Sequence, residues 1–400
     1  MCSAIEIAIY DEFAAVEEEW RRFEGSADCT VFQAFDWLST WHRHIGRRQC
    51  VNPAIVLGRR ADGEPLFLLP LAVTPGFARR LTWLGCDLCD YNAPLLGADF
   101  SAELTAEGFR GLWHEIRGLL QQRLVHRHDL VELTKMPETV GAQVNPFVHL
   151  DVGLNPSGAH LTQLQGTWPE FYQAKRSSAT RRRDRTKRKR LGQWGEVRFV
   201  APHQRDDIAR TLETLFEQKA KAFARMGVPD IFARPGYRDF FLDLATNPRT
   251  CHLVHVSRLD VGSIWAAVNL GLMFHGNYYH VLASYDGGEV ARFGPGAAHL
   301  RDLLCHAIES RFRRFDFTIG DERYKLEWSD TTLNLYDHVA PATVRGWPLA
   351  MLVLAGFRLK RAIKQNPLFW NLFSRLRMAF GSKSSSLART ASPQGRLDER

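Results

Sequence analysis

Twice along this chain the apolar periodicity runs through the same order of elements, and that repetition limits the possible folds more than any total does. The first pass begins with a strand at residues 4–10 and helical stretches at 11–23 and 32–45, the second carrying Phe35, Leu38 and Trp41 at helical spacing. Apolar runs at 54–58 and 65–73, split by Ala61-Asp62-Gly63-Glu64, read as a hairpin. A short strand at 81–84, a loop over 86–96, a helix at 103–123 and a strand at 128–133 complete it. The second pass has a strand at 148–152, a helix at 168–192, a strand at 196–201 and helices at 206–225 and 237–246. Three closely spaced strands follow, 251–257, 263–274 and 277–285, joined by tight turns at Leu259–Gly262 and His275-Gly276. Gly294-Pro295-Gly296 opens a helix to about residue 312, and strands at 314–317 and 333–339 close the pattern. The expectation is an α/β (α+β) chain of two tandem domains, 1–145 and 146–340, each a mixed sheet flanked by helices. Residues 341–381 then form an amphipathic basic helical tail, and 382–400, rich in Ser and Arg, reads as disordered.

Four hundred residues suit two cores, and 45% hydrophobic with 24% charged side chains excludes fibrous and disordered classes. The seven cysteines are odd in number and scattered, which reads as reduced thiols in a cytosolic protein. The start, MCSAIEIAIYDEF, lacks the basic n-region of a signal peptide, and no apolar run approaches the roughly 20 residues of a membrane span. The formal charge of +8 is concentrated. Residues 175–190 hold ten Lys/Arg and one Asp (+9), and residues 338–397 hold ten Lys/Arg and no acid (+10). The remainder is therefore 8 − 9 − 10, or −11, so the globular body is acidic, which argues against nucleic acid as the main partner.

Several short segments together resemble one family. Ser177-Ser178-Ala179-Thr180 leading into Arg181–Arg185, then Lys189-Arg190-Leu191-Gly192, is similar to the basic helix of CelD-type acetyltransferases. These form a GNAT branch associated with cellulose and exopolysaccharide biosynthesis. Phe32-Gln33 with Trp37 and Trp41, Asp90-Tyr91, Phe293–Gly296, and Asp316-Phe317 with Asp321, Tyr324-Lys325 and Trp328 follow the same habits. The resemblance covers roughly residues 5–340 and implies kinship with FemABX-type transferases, which pair two GNAT-like domains around a cleft. It implies a degenerate first domain, since no Gly-x-Gly precedes the helix at 103–123. The second domain is implied to be an acyltransferase that uses acetyl-CoA or another acyl-CoA as co-substrate and no metal.

In such a domain the acyl-CoA pyrophosphate sits at Arg292, Phe293, Gly294, Pro295 and Gly296, where glycine admits close backbone approach and the helix N-terminus offers free N–H groups. The family signature places Arg or Gln three positions before the first glycine, and this chain has Ala291 there, with Arg292 one place late. Direct attack of an amine or hydroxyl on a thioester needs a base and a donor for the leaving thiolate. His280 is the first candidate base, its ordinary pKa lying near working pH, with Asp316 and Asp321 as rivals. Tyr278 or Tyr324 is the candidate acid. Simple alternation puts Tyr278, His280, Leu282 and Ser284 on one face of their strand. Asp90, Tyr91, Lys325 and Trp328 are candidate acceptor contacts. Cys86-x-x-Cys89 lacks the second ligand pair of a zinc site.

The function expected is an acyl-CoA-dependent N- or O-acyltransferase acting on a polysaccharide precursor or other cell-envelope metabolite, cytoplasmic or peripheral on the inner membrane. Residues 347–380, apolar and basic without acids, suit an anionic membrane surface. Two alternatives are FemABX-like transfer from aminoacyl-tRNA, with residues 181–190 gripping RNA, and a membrane-docked scaffold of polysaccharide synthesis without catalysis.

Overall fold

The computed structural model describes residues 5–365. The first half begins with β1 (Glu6–Tyr10), α1 (Glu17–Glu24) and α2 (Phe35–Trp41), and continues through β2 (Asn52–Arg59), β3 (Pro65–Thr74), β4 (Arg80–Trp83) and β5 (Leu95–Leu96). It then has α3 (Phe100–Glu103), α4 (Ala106–Gln122), β6 (Leu130–Pro137) and the small hairpin of β7 (Thr139–Val140) and β8 (Gln143–Val144). The second half runs β9 (Val152–Leu154), β10 (Ala159–Gln163), α5 (Trp168–Lys175), α6 (Ser178–Leu191), β11 (Val197–Val200), α7 (Arg205–Met226) and α8 (Tyr237–Thr246). There follow β12 (Val254–Val261), β13 (Ile264–Phe274), β14 (Asn277–Tyr285), α9 (Pro295–Glu309), β15 (Arg314–Ile319), α10 (Arg323–Trp328), β16 (Thr331–Leu333), β17 (Leu335–Pro341) and α11 (Gly346–Gln365).

The two main sheets repeat one another. The first is ordered β1-β2-β3-β4-β6-β17-β9, the second β11-β12-β13-β14-β15-β10-β16. In each, the fourth and fifth strands are parallel and every other neighbouring pair along the order is antiparallel. The expected strand at 333–339 does not close the second sheet. As β17 it crosses back to pair with β6 in the first, where its apolar Leu335 is buried and Val339 packs against Leu130 and Ala350 of the helix that follows.

Other boundaries moved for local reasons. The single helix expected over 168–192 is two, restarted where the Ser177 hydroxyl accepts from the Thr180 N–H as an N-cap. The strand expected at 148–152 is a 3-10 turn from Pro146 to His149, capped by Asn145, before the short β9. The helix expected over 32–45 passes from a 3-10 turn through α2 to a π-helical turn at His42–Gly46.

One apolar core lies between the sheets and belongs to both halves. Trp20, Trp37, Ile55 and Leu68 from the first share it with Phe216, Phe240, Leu244 and Leu270 from the second. The Trp37 ring meets Phe240 edge-on at 4.9 Å, and Phe32 meets Tyr279 at 5.9 Å. A second core lies between the first sheet and α4, and a third under α9 on the outer face of the second sheet. Among the described residues no helix is long and apolar enough to cross a membrane. Residues 366–380 of the expected membrane-contacting segment, and the end expected to be disordered, lie outside the described residues.

Candidate active site

β14 and β15 are paired in parallel only over Asn277–Tyr279 and Arg314–Asp316, and then separate. Both carry a β-bulge at the parting. In β14 the register with β13 skips Val281, so Gly271 faces His280 and Leu270 faces Leu282. The bulge overturns the simple alternation expected for this strand: Ala283 and Tyr285 share the face of Tyr278 and His280, while Leu282 and Ser284 turn to the face of Tyr279, where Ser284 donates to Gln218 of α7 at 2.8 Å. In β15 the register with β10 skips Phe317.

On the α9 face of the opening lies a cavity of about 430 Å³. It is lined by His280, Ala283 and Tyr285 of β14 and by Gly296, Ala297 and Leu300 of α9. Trp328, Tyr324 and Glu322 of the β15–α10 region and Lys219 of α7 also line it. Gly294 caps α9 in the left-handed region (φ 69°), a conformation that favours glycine, and Pro295 occupies the first helical position. No side chain caps this helix. The basic helix α6 crosses its start. A Cβ on Gly294 would lie 3.7 Å from the Lys187 Nζ, and Arg188 pairs with Asp302 at 2.7 Å. Arg292, placed in the phosphate site by resemblance, stacks on the Phe293 ring at 4.9 Å.

Sequence reasoning missed the polar wall of this cavity. Asp184, the one acid of the basic run, is turned inward, pairing with Arg301 of α9 at 3.0 Å and accepting from the Tyr172 hydroxyl at 2.7 Å. A single acid among ten cations was the available signal. Trp328 is buried and stacks with Trp168, Phe171 and Tyr172, and the Arg176 guanidinium lies 4.8 Å from its ring. It is a wall of this cavity, on the α9 side.

The candidate bases separate by environment. Burial pushes the His280 imidazole down to about 3, helped by the charges of Lys325, His299 and Lys219. With its side-chain oxygen accepting from the Tyr278 hydroxyl, the Asn269 amide donates to His280 Nε2 at 3.1 Å. The premise that His280 titrates near working pH therefore fails: the ring is neutral and its acceptor nitrogen occupied. Asp316 behaves oppositely. Burial raises its carboxyl to about 7, opposed by hydrogen bonds from the Tyr91 hydroxyl and the Thr318 N–H, both 2.7 Å. Asp90 is raised as well, again by burial, with the Thr318 hydroxyl and the Lys135 charge opposing. Thr318 holds φ at 61°, unusual for a β-branched residue, so backbone strain sits where the strands part.

Asp316 lies on the opposite face of the sheet from the cavity. There it lines a small space of about 120 Å³ with Tyr91, Thr30, Tyr279, Asn277 and Arg314, at the junction of the two halves. Asp321 is set apart, accepting from His160 Nε2 at 3.2 Å beside a shallow depression at Gly158 and Thr332. Tyr278 is enclosed, its hydroxyl between His255 and Asn269. Tyr324 is part-exposed on the cavity, and burial raises its phenol above the ordinary value, keeping it protonated. Lys325 is buried and donates to the Ile319 carbonyl at 2.6 Å, anchoring the β15–α10 link. Cys89 packs under Trp37, whose indole N–H points at its sulfur at 3.3 Å, and burial pushes its thiol well up.

Residues 178–326 match the family model described as an acetyltransferase (GNAT) domain. The second half carries a GNAT acyltransferase domain. Among solved structures, FemX is similar over 87% of this chain and 99% of its own, with 11% identity and a TM-score of 0.57. A conserved protein of unknown function from Bacteroides thetaiotaomicron is similar over 84% of this chain and all of its own, with 13% identity and a TM-score of 0.51. No curated protein matches the sequence. The repeated sheets make this a chain of two GNAT-like domains, and the chain is an acyltransferase.

Proposed function

We propose that the chain transfers an acyl group from acyl-CoA to an amine or hydroxyl of a polysaccharide precursor or similar cell-envelope metabolite, working in the cytoplasm at the inner face of the membrane. The observation that carries the donor half of this reading is the parting of β14 and β15 beside a cavity that ends at the uncapped start of α9. The pantetheine arm would lie in the cavity, with its pyrophosphate at the N–H groups of Gly296 and Ala297 and beside Lys187, which takes the place of the missing signature side chain. The thioester would then reach the gap between the strands.

The acceptor would approach from the opposite face, between the halves. Its proton passes to the Asp316 carboxylate as its lone pair forms the bond to the thioester carbon. The carbon–sulfur bond then breaks, and the leaving thiolate takes a proton from Tyr324. Asp90 and Tyr91 bring the first half into this site by setting the charge state of Asp316. Resemblance to the CelD type is what points to an envelope glycan as acceptor. A second reading, transfer from an aminoacyl-tRNA, draws on the outward row of α6, where Arg182, Arg183, Arg185, Lys189 and Arg190 are exposed.

Calorimetric titration with acetyl-CoA and longer acyl-CoAs tests the donor site. Micromolar binding, weakened tenfold or more by Gly294→Val, is expected, because a β-branched residue resists a φ of 69°. Absence of binding, together with salt-sensitive binding of tRNA, would transfer the site to the second reading.

A further inference from the structure

Three segments far apart in the sequence bring their most exposed apolar side chains to one end of the first sheet. Phe77, in the β3–β4 turn, is 93% exposed; Val344, between β17 and α11, is 90%; Leu124, between α4 and β6, is 72%. Asp129 ties these segments together. Its carboxylate accepts from the Arg79 N–H at 3.0 Å and the Thr343 hydroxyl at 2.7 Å, and its carbonyl accepts from the Ala342 N–H at 2.8 Å. The Arg79 guanidinium donates in turn to the Leu124 and Val125 carbonyls. Gly346 approaches so closely that a Cβ there would lie 1.8 Å from the Asp129 carbonyl oxygen. The loops are therefore held in place, and their apolar tips are not left out by slack.

From the same end α11 lays Leu349, Ala350, Val353, Leu354 and Phe357 on Leu130 and Val339. A surface helix would then carry polar residues outward. This one carries Trp347, Met351, Leu352 and Leu359, all more than half exposed. Exposed cations lie among them, beside the acids Asp129 and Asp11. Arg127, Arg345 and Arg358 are exposed, no carboxylate pairs with Arg127 or Arg358 among the described residues, and the sequence from 338 to 397 contains no acid. Asp129, the acid at the junction, is held ionised below its usual range by the Thr343 hydroxyl and the Arg79 N–H, with Arg345 and Arg79 nearby. Protruding apolar tips interleaved with cations fit a surface that is soft, apolar a few ångströms down, and anionic above.

We propose that Phe77, Leu124, Val344 and the outer edge of α11 form one docking face for an anionic lipid bilayer. The inference places the enzyme at an envelope substrate but does not depend on the transfer chemistry. The test is co-sedimentation of the full chain with vesicles of phosphatidylcholine alone, and with vesicles in which about a quarter is phosphatidylglycerol. Binding to the anionic vesicles only is expected. Arg345→Glu with Arg358→Glu should weaken it tenfold or more, at about fivefold for each cation lost. Phe77→Ser with Leu124→Ser should weaken it severalfold without changing the thermal midpoint, since both side chains are exposed. Equal binding to neutral vesicles, or no binding, would overturn the proposal. So would full binding by both double variants that is lost only on removing residues 366–400, because the folded face would then be idle. A dimer dissolved by the same substitutions, without lipid binding, would reassign the face to a second copy of the chain. None of these outcomes alters the acyl-CoA titration.

Discussion

At the scale of single residues, two of the three candidate bases, His280 and Asp316, are distinguished by their response to burial. A buried imidazole is driven neutral and a buried carboxyl is driven protonated, so the same desolvation keeps His280 neutral and raises Asp316 toward neutrality. If Asp316 is the base, kcat/KM falls on the acid side with a midpoint near 7, and Asp316→Asn lowers it by about 10²–10⁴. His280→Gln should leave that acid limb in place. The Tyr91 hydroxyl favours the charged carboxylate, so Tyr91→Phe should move the limb to higher pH, which a pH–rate profile reads directly. Stability gives an independent readout. Because the folded-state carboxyl is raised above its unfolded value, Asp316 favours folding below about pH 4 and loses that contribution as pH rises through 7. Asp316→Asn is therefore expected to gain on the wild type by up to a few kcal/mol at pH 8, and to gain little at pH 4. Chemical unfolding at the two pH values checks the sign.

At the scale of elements, long periodic segments were legible. The hairpin strands β2 and β3, the meander β12–β14 and helices α4, α7, α8 and α9 were all expected within a few residues, because each has a strong period of its own. What period cannot carry is an irregularity. The bulge at Val281 adds one residue to β14 without any marker in its sequence, and everything after it changes face. Beside it on the neighbouring strand, Gly271 gives the Tyr278 ring its room, and a Cβ there would come within 2.1 Å of the phenol oxygen. Gly271→Ala should destabilise the protein by about 1–3 kcal/mol through overpacking. It should also displace the Asn269–Tyr278–His280 network, and a lowered denaturation midpoint with weakened acyl-CoA binding would register both effects. The candidate site residues could be picked out in the same uneven way. Gly294-Pro295-Gly296 and Asp316 announce themselves by type and place. The inward turn of Asp184 and the reach of Lys187 and Lys219 depend on how α6 and α7 lie across other elements, which no local pattern encodes.

At the scale of the whole molecule, two sheets with one strand plan would ordinarily suggest two independent domains. Their separation is only topological. Strand β17 completes the first sheet with residues that follow the second, and α1, α2, α7 and α8 share one core between the sheets. Neither half can bury its inner face without the other, and Asp316, the proposed base, is hydrogen-bonded by Tyr91 across that seam. A first half that lacks a Gly-x-Gly of its own is therefore part of the shared core and, on the proposed mechanism, of the acceptor side of the site. Denaturant unfolding should then be a single cooperative transition despite the chain length, with tryptophan fluorescence and far-UV dichroism coincident. Trp37→Ala removes the ring that meets Phe240 across the seam and should cost about 3–5 kcal/mol. The loss should appear as one shifted transition. Two separated transitions in either protein would mean that the halves fold alone, and that the seam tunes Asp316 without holding the molecule together.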